Sequence, residues 1–313
     1  MLRTRGTPAL PEYLHTYMGW KIMASFKKIG VIGAGTMGQA IASMLSHKGL
    51  DVYITEKTQA KLEHGLKAIE MSLDKQIEKW ALTASEKKVI LSRIHPIAEL
   101  AGLRECELVI ETISEDLDAK KAVFQAIGDL CGEGVVLATN TSTLSVTELA
   151  GATRFPKRVI GLHFIHPVSN IEMVEIIRGL QTSDDTFDRT KGFVEDVLSK
   201  KGILVYETPG FVTTRLICTL INEAVHTLSE GVASAEDIDS AMRLGYGFKY
   251  GPLEMCDRFG LDSVLAALER MFRDYGDLKY RPAVLLRKMV RAGQLGAKTG
   301  TGFFRYDEDG DKI

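Results

Sequence analysis

Two histidines and a glutamate in one short stretch have side chains that could catalyse proton transfer. The histidines lie in the sequence GLHFIHP at residues 161–167, and Glu175 follows in the segment MVE. Imidazole exchanges protons near neutral pH, and a carboxylate partner fixes its tautomer. A pair of His163 and Glu175 on two neighbouring strands would therefore be suited to proton transfer.

The two histidines also form an H-x-x-H pattern, which is one arrangement of metal ligands. His163 and His166 would face opposite sides of a strand unless Pro167 bends the chain. No third ligand is evident in the sequence. We therefore predict no metal site.

A glycine-rich turn upstream predicts a dinucleotide site. The strand KIGVI is followed by GAGTMG at 33–38, which opens a helix, and Glu56 ends the next strand. The glycines permit a tight turn, a close approach to the pyrophosphate and helix–strand contact, and the helix N-terminus supplies free N–H groups. Glu56 would bind a ribose diol and repel a 2′-phosphate, which favours NAD over NADP. The predicted NAD contacts here are Gly33, Gly35, Thr36, Met37, Gly38 and Glu56.

Alternating strands and helices must position both sites. Apolar runs predict strands at 28–32, 51–55, 108–111, 135–138, 159–163, 173–177 and 203–206. Helical patterns between them, at 58–91, 116–130 and 184–200 among others, predict a doubly wound, mostly parallel sheet. The link between the strands at 159–163 and 173–177 is too short for a crossover helix, so this pair is predicted to be antiparallel.

The segment Thr208-Pro209-Gly210 marks the predicted domain boundary, since only helical pattern follows it. We expect an α/β Rossmann-type domain followed by an all-helical domain. The predicted ranges are a poorly ordered extension at 1–25, an NAD-binding domain at 26–207 with a helical insertion at 58–91, and an all-helical domain at 208–313. The predicted helices of the last domain lie near 217–228, 235–243, 252–258, 260–273 and 282–291.

Composition narrows the possible partners and compartment. The chain has 313 residues, 45% of them hydrophobic and 26% charged, with a formal net charge of -2. This balance predicts a globular protein with no nucleic-acid or membrane partner. The four cysteines show no C-x-x-C spacing, which favours the reducing cytoplasm.

Four stretches in one register resemble the L-3-hydroxyacyl-CoA dehydrogenases, including the short-chain 3-hydroxybutyryl-CoA enzymes. They are ATNTS at 138–142, the GLH segment with its later Glu175, PGF at 209–211 and GAKTGTGF at 296–303. The resemblance implies NAD-dependent interconversion of an (S)-3-hydroxyacyl-CoA and a 3-ketoacyl-CoA, in fatty acid and butanoate metabolism. It also implies a CoA thioester as substrate and a homodimer formed through the helical domain.

The resemblance assigns roles residue by residue. His163 matches the catalytic base, Glu175 its partner, and Ser142 the serine that hydrogen-bonds the reacting oxygen. Asn140 would lie near the nicotinamide, and Glu115 and Lys120 match positions that line the cofactor. Two of these have structural alternatives, since Ser142 could cap the helix near Val146 and Glu115 could be a first-turn helix acid.

Two residues depart from the family pattern in the predicted substrate pocket. His166 and Thr214 stand where the family usually has asparagine. These two residues leave a second possibility, that the chain is a relative of the family that acts on a non-CoA 3-hydroxy substrate, such as a sugar acid or a carnitine-like alcohol. A dinucleotide-binding protein with weakened catalysis is the third possibility.

The lysine-rich helical segment fits the family's CoA-contacting helices, where the positive charges would neutralise phosphates. The alternative is a solvated helix face. The lysines are Lys57, Lys61, Lys67, Lys75 and Lys79.

Overall fold

One sheet of eight strands with helices on both faces precedes a group of five helices in the computed structural model, which describes residues 26–313. The predicted extension at 1–25 lies outside the described residues. The strands are β1 Lys28–Ile32, β2 Asp51–Thr55, β3 Ile94–Pro96, β4 Leu108–Glu111, β5 Val136–Thr139, β6 Val159–His163, β7 Met173–Arg178 and β8 Lys201–Tyr206. The helices among them are α1 Thr36–His47, α2 Gln59–Glu78, α3 Ala84–Ser92, α4 Leu117–Leu130, α5 Val146–Gly151 and α6 Asp184–Gly192. The fold class predicted from the sequence is confirmed.

The strand order places the nucleotide turn at the middle of the sheet. The order is β3-β2-β1-β4-β5-β6-β7-β8, and β1 to β6 run parallel. As predicted, β7 is antiparallel to β6, and β8 runs parallel to β7. His163 and Glu175 are directly opposite each other in the register of β6 and β7. Side chains of such cross-strand pairs lie on the same face of a sheet, so the topology itself brings the two together.

The glycines of the β1–α1 turn are required by space and by backbone conformation. Gly33 has a φ of 104°, which disfavours any side chain. A Cβ at Gly38 would lie 1.9 Å from the carbonyl oxygen of Gly33. Only glycine therefore lets α1 start this close to β1.

Some element predictions were wrong in their limits. The helical insertion predicted at 58–91 is a pair of helices, α2 and α3, with a break between Glu78 and Ala84. The helix predicted at 184–200 is shorter, because α6 passes into a π-helical turn at Phe193–Val197 before β8 begins at Lys201. The edge strand β3 was not predicted at all.

Five helices form the second part of the chain: α7 Thr213–Ser229, α8 Ala235–Tyr246, α9 Pro252–Phe259, α10 Leu261–Tyr275 and α11 Val284–Arg291. Their apolar faces enclose a core that includes Ile221, Leu253, Leu268 and Leu286. None of the helices between residues 26 and 313 combines the length and apolar character of a membrane-spanning segment.

Two buried aspartates tie this helical part together. Asp239 accepts hydrogen bonds from the backbone N–H groups of Leu253 and Glu254 and so caps α9 from a neighbouring helix. Asp257 accepts backbone hydrogen bonds from Phe303 and Phe304, which fixes the C-terminal segment. The Tyr306 hydroxyl donates a third hydrogen bond to Asp257 over 3.0 Å.

Candidate active site

The centre of the site is a buried, hydrogen-bonded pair of side chains, one from β6 and one from β7. The Nδ1 atom of His163 lies 2.6 Å from Oε2 of Glu175. Glu175 is 0% exposed and His163 8% exposed. Because Nδ1 faces the carboxylate, Nε2 is the ring nitrogen left to act on a ligand.

The start of α7 holds the carboxylate of Glu175 from its other side. The backbone N–H of Val212 donates to Oε1, and Thr213 donates to Glu175 through both its N–H and its hydroxyl. Burial alone would raise the pKa of Glu175, but the hydrogen bond from His163, the charge of its ring and the Thr213 donors outweigh burial and lower that pKa. The carboxylate therefore stays ionised beside the imidazole. Sequence reasoning missed Thr213, although its place two residues after the PGF motif was a signal.

A cavity of about 660 Å³ opens beside this pair, between the sheet and the helical part. The predicted residues Asn140, Ser142, His163, His166 and Thr214 all line it. Its remaining wall is apolar and comes largely from α7, α9 and α10. The sequence-predicted substrate pocket is thus one cavity in the structure.

Asn140 and Ser142 follow β5 and reach this cavity from one loop. The Oδ1 atom of Asn140 accepts the backbone N–H of Phe164 over 2.8 Å, so its amide N–H₂ group remains for a ligand. The alternative reading of Ser142 as a helix cap is wrong, because Ser145 caps α5 by accepting the N–H of Glu148.

Glu115 organises the loop that carries Ser142. Its Oε1 atom accepts hydrogen bonds from the backbone N–H groups of Ser142 and Thr143 at 3.1 Å each, and from the Thr141 hydroxyl. Burial would raise the pKa of Glu115, but the nearby Lys120 charge and these donors lower it. The helix-acid alternative is wrong, because α4 begins at Leu117 with Asp116 as its cap.

The ammonium group of Lys120 lies beneath this loop and is not open to a ligand. Lys120 is 1% exposed, and its Nζ atom lies 2.7 Å from Oε1 of Glu111 and 3.6 Å from Oε2 of Glu115. Burial raises the pKa of Glu111, against the charge of Lys120. Sequence reasoning missed Glu111, which ends an apolar strand and finds its partner only through the fold. The geometry makes Lys120 a support for Glu115 more than a direct cofactor contact.

The β1–α1 turn offers space and N–H groups for a pyrophosphate. A Cβ added at Gly35 would meet no atom within 4 Å, so this side of the turn is open. Glu56 lies against the same turn, where its Oε2 atom accepts the N–H of Ala34 over 2.9 Å. Met37 lines the cavity that contains His163. These residues fit a dinucleotide whose nicotinamide end reaches the His–Glu pair.

His166 lies between that cavity and a second one of about 550 Å³. The second cavity follows α1 and α2 and includes Thr36, Ser72 and Gln76. Burial lowers the pKa of His166. His163 and His166 both line the first cavity, because β6 ends at His163 and the chain then turns, which is the exception that the sequence allowed for Pro167. No cluster of three metal-ligating side chains occurs within residues 26–313.

Comparison with known proteins gives matches over nearly the whole described chain. The family model of the 3-hydroxyacyl-CoA dehydrogenase NAD binding domain matches residues 28–208, and that of the C-terminal domain matches 210–306. A 3-hydroxybutyryl-CoA dehydrogenase of Clostridioides difficile is 42% identical over 281 residues, which cover 90% of this chain and 100% of that protein. The human mitochondrial hydroxyacyl-coenzyme A dehydrogenase is 35% identical over 90% of this chain and 91% of its own length. The crystal structure of (S)-3-hydroxybutyryl-CoA dehydrogenase from Ralstonia eutropha superposes with a TM-score of 0.85 at 42% identity, covering 91% of this chain and 100% of that one.

Proposed function

We propose that this chain, which belongs to the 3-hydroxyacyl-CoA dehydrogenase family, interconverts a short-chain (S)-3-hydroxyacyl-CoA and its 3-ketoacyl-CoA with NAD, using His163 as acid and base. Such a reaction belongs to fatty acid and butanoate metabolism. The catalytic assignment rests on the buried His163–Glu175 pair, in which Nε2 of His163 faces away from the carboxylate and His163 lines a cavity.

The oxidation removes a proton and a hydride from the substrate. Nε2 of His163 takes the proton of the 3-hydroxyl group, and the C–O bond becomes a carbonyl. Bound NAD would supply the acceptor for the hydride of C3. In the reduction, His163 returns its proton to the oxygen. Glu175 stabilises the imidazolium that forms and holds the ring in the tautomer with Nδ1 protonated.

Four further residues position the reacting groups in this proposal. Ser142 donates its hydroxyl hydrogen to the substrate oxygen and stabilises the charge that develops there. Asn140 directs its amide toward the nicotinamide. Glu115 acts through the loop that it fixes, and Lys120 acts through Glu115.

The nucleotide turn would hold NAD as its sequence predicts. The turn around Gly35 would receive the pyrophosphate. Glu56 would hydrogen-bond the adenosine ribose hydroxyls, of which the 2′-hydroxyl is phosphorylated in NADP. Glu56 is already anchored to Ala34, so a 2′-phosphate would bring negative charge beside a fixed carboxylate. We therefore expect NADH to be preferred over NADPH.

The two neighbouring cavities suit the two ends of a CoA thioester. The acyl group would occupy the cavity beside His163, and the long pantetheine arm would pass His166 toward the cavity along α2. No lysine of α2 lines that second cavity, but the exposed Lys48 at the end of α1 does and would attract the phosphates. His166 and Thr214 would then contact the thioester region, where the family usually has asparagine.

We also propose a homodimer formed through the helical part. Large apolar side chains are exposed on α7 and α8, where Leu216 is 67%, Leu244 85% and Tyr246 76% exposed. Exposed apolar patches of this kind are typical of interfaces. A monodisperse monomer in light scattering at micromolar concentration would contradict this assembly. The four cysteines are free and buried, which supports placement in the reducing cytoplasm.

The test of the function is an assay of the purified chain with acetoacetyl-CoA and NADH, followed by the loss of NADH absorbance. We expect turnover, slower turnover with NADPH, and an (S)-hydroxyl product. If no acyl-CoA is reduced while a sugar acid or a carnitine-like alcohol is oxidised, the substrate assignment is wrong. If NADH binds but no substrate of either class turns over, the protein is a weakened dinucleotide binder.

A further inference from the structure

Trp80 is the most exposed large apolar side chain of the described residues, at 96%, and it lies at the end of α2. The backbone N–H of Trp80 donates to the carbonyl of Ile77, and the N–H of Ala81 donates to that of Gln76. This pair of hydrogen bonds is a Schellman motif, in which the residue at the position of Trp80 adopts a left-handed conformation. Its φ is 57°. Glycine is the usual residue there, because a Cβ makes this conformation unfavourable.

Neither packing nor backbone preference explains a tryptophan at this place. A ring that is almost fully exposed gains little from burial, and the backbone conformation costs free energy for any residue with a side chain. The ring presents both faces to solvent. An exposed aromatic ring on a strained backbone is therefore available to stack on a flat ligand group.

The face of α2 that leads to Trp80 also lines the second cavity. Ala68, Ser72 and Gln76 line it, and Lys79 continues the same face at the i, i+3 and i+4 spacing of a helix. Trp80 follows Lys79 directly, four residues beyond Gln76, which is about 6 Å of helix rise. The helix face that lines the cavity therefore continues to Lys79 and ends beside Trp80.

Charge is separated between this face of α2 and the opposite one. The acidic residues Glu70, Asp74 and Glu78 recur every fourth residue on the other side. Two of them, Glu70 and Asp74, accept hydrogen bonds from Lys87 of α3. The cavity-lining face carries no carboxylate from Ala68 to Lys79, so an anionic ligand meets no repulsion from α2 there.

We infer that Trp80 stacks on the adenine base of the CoA substrate. This inference rests on the proposed function, in which the acyl group lies beside His163. CoA carries its adenine at the end farthest from the thioester, with phosphates next to it. The order of sites from His163 past His166 and along α2 to Lys79 and Trp80 matches that chemical order. Trp80 is thus a residue that selects for the nucleotide part of the substrate.

Kinetics with two substrates test the inference. We compare KM for acetoacetyl-CoA with KM for acetoacetyl-pantetheine, which lacks the adenine nucleotide. In W80G we expect KM for the CoA substrate to rise about fivefold or more, a size typical of lost base stacking. KM for the pantetheine substrate and kcat for both should stay unchanged. W80Y, which keeps an aromatic ring, should stay close to the wild-type values.

Two controls separate stacking from a general change in the fold. W80G relieves the left-handed strain, so its thermal midpoint should rise even as KM for the CoA substrate rises. M71A removes an exposed apolar side chain of the same helix and should change neither KM. If W80G and M71A give equal KM values for acetoacetyl-CoA, Trp80 has no role in binding. If the wild-type chain reduces neither substrate, the proposed function fails instead.

Fluorescence gives a second readout that needs no turnover. The chain contains two tryptophans, Trp20 and Trp80, so W20F leaves Trp80 as the reporter. We expect CoA to quench this emission and pantetheine to leave it unchanged. Quenching by neither ligand at concentrations that saturate the enzyme would overturn the inference.

Discussion

Glu175 in the sheet domain and Asp257 in the helical part are both buried carboxylates, at 0% and 1% exposed, but their surroundings differ. Glu175 faces an imidazole and a ring of donors, and its pKa is lowered despite burial. Asp257 has donors but no cation among its hydrogen-bond partners, and burial raises its pKa to about 6. Both accept two backbone N–H groups, so the count of backbone hydrogen bonds is not what separates them.

The difference shows how a protein makes a buried acid catalytic or structural. In the proposed mechanism Glu175 has a role in the reaction because its partner can gain and lose a proton, and the carboxylate then stabilises the positive charge on His163. Asp257 instead joins α9 to residues 303–306, and its hydrogen bonds lead to no cavity. In the proposed mechanism one carboxylate serves the chemistry, and the other holds the C-terminal segment against the helices that line the cavity beside His163.

The largest effect is expected at His163, the ionisable partner that Glu175 has and that Asp257 lacks. In H163Q the side chain can still accept and donate hydrogen bonds but cannot carry a proton between solvent and substrate. We expect kcat for acetoacetyl-CoA reduction to fall by ~10²–10⁴-fold, the usual contribution of general acid–base catalysis. The dissociation constant for NADH, measured by its fluorescence, should remain unchanged. Near wild-type kcat in H163Q would mean that another group transfers the proton.

The next largest effect is a loss of thermal stability when Asp257, the buried carboxylate of the helical part, is replaced. D257N keeps an acceptor for Phe303 but turns an N–H₂ group toward the backbone N–H of Phe304. A buried donor left without an acceptor costs about 1–3 kcal/mol. Thermal unfolding should therefore begin at a lower temperature, while most of the kcat is kept below that temperature. An unchanged midpoint would show that residues 303–306 do not depend on Asp257.

The smallest effect is a difference in how the two carboxylates respond to pH. The folded pKa of Asp257 lies above its unfolded value, so its contribution favours folding at low pH and declines as pH rises from about 4 to about 6. The folded pKa of Glu175 lies below its unfolded value, so its contribution is present above that value and is lost as pH falls through the folded pKa.

Thermal midpoints measured from pH 3 to pH 7 would show this contrast, with pH values chosen to span the usual carboxyl range. D257N should reduce the gain in stability that the wild type shows as the pH falls from about 6 to about 4. E175Q should reduce the loss of stability that the wild type shows at still lower pH. Identical pH profiles in the two variants and the wild type would contradict both assignments.

Sequence reasoning reached the parts of the site that depend on local pattern. The fingerprint at 33–38 and the antiparallel pairing of β6 with β7 need only short segments, and both were predicted. The pairing then placed Glu175 opposite His163 without further information. The family resemblance supplied Ser142 and Asn140, whose loop does line the same cavity.

The parts that were missed depend on contacts between distant segments. Thr213 donates to Glu175 from 38 positions away in the chain, and Asp257 binds Phe303 across 46. Neither contact leaves a periodic signal. The strand β3 has only three residues, too few for an alternating pattern to stand out. The resemblance assigned Lys120 to a position beside the cofactor, and only the fold shows that its ammonium group is buried against Glu111.

In this protein the partner of a buried carboxylate decides its role, and a comparison of two variants tests this. E175Q and D257N each exchange a carboxylate for an amide of the same size, and their kcat can be compared per NADH-binding site. We predict that E175Q loses about 10²-fold or more, because the imidazolium loses its counter-charge and its fixed orientation. D257N should keep most of its kcat. Equal losses in the two variants, or a larger loss in D257N, would contradict the account.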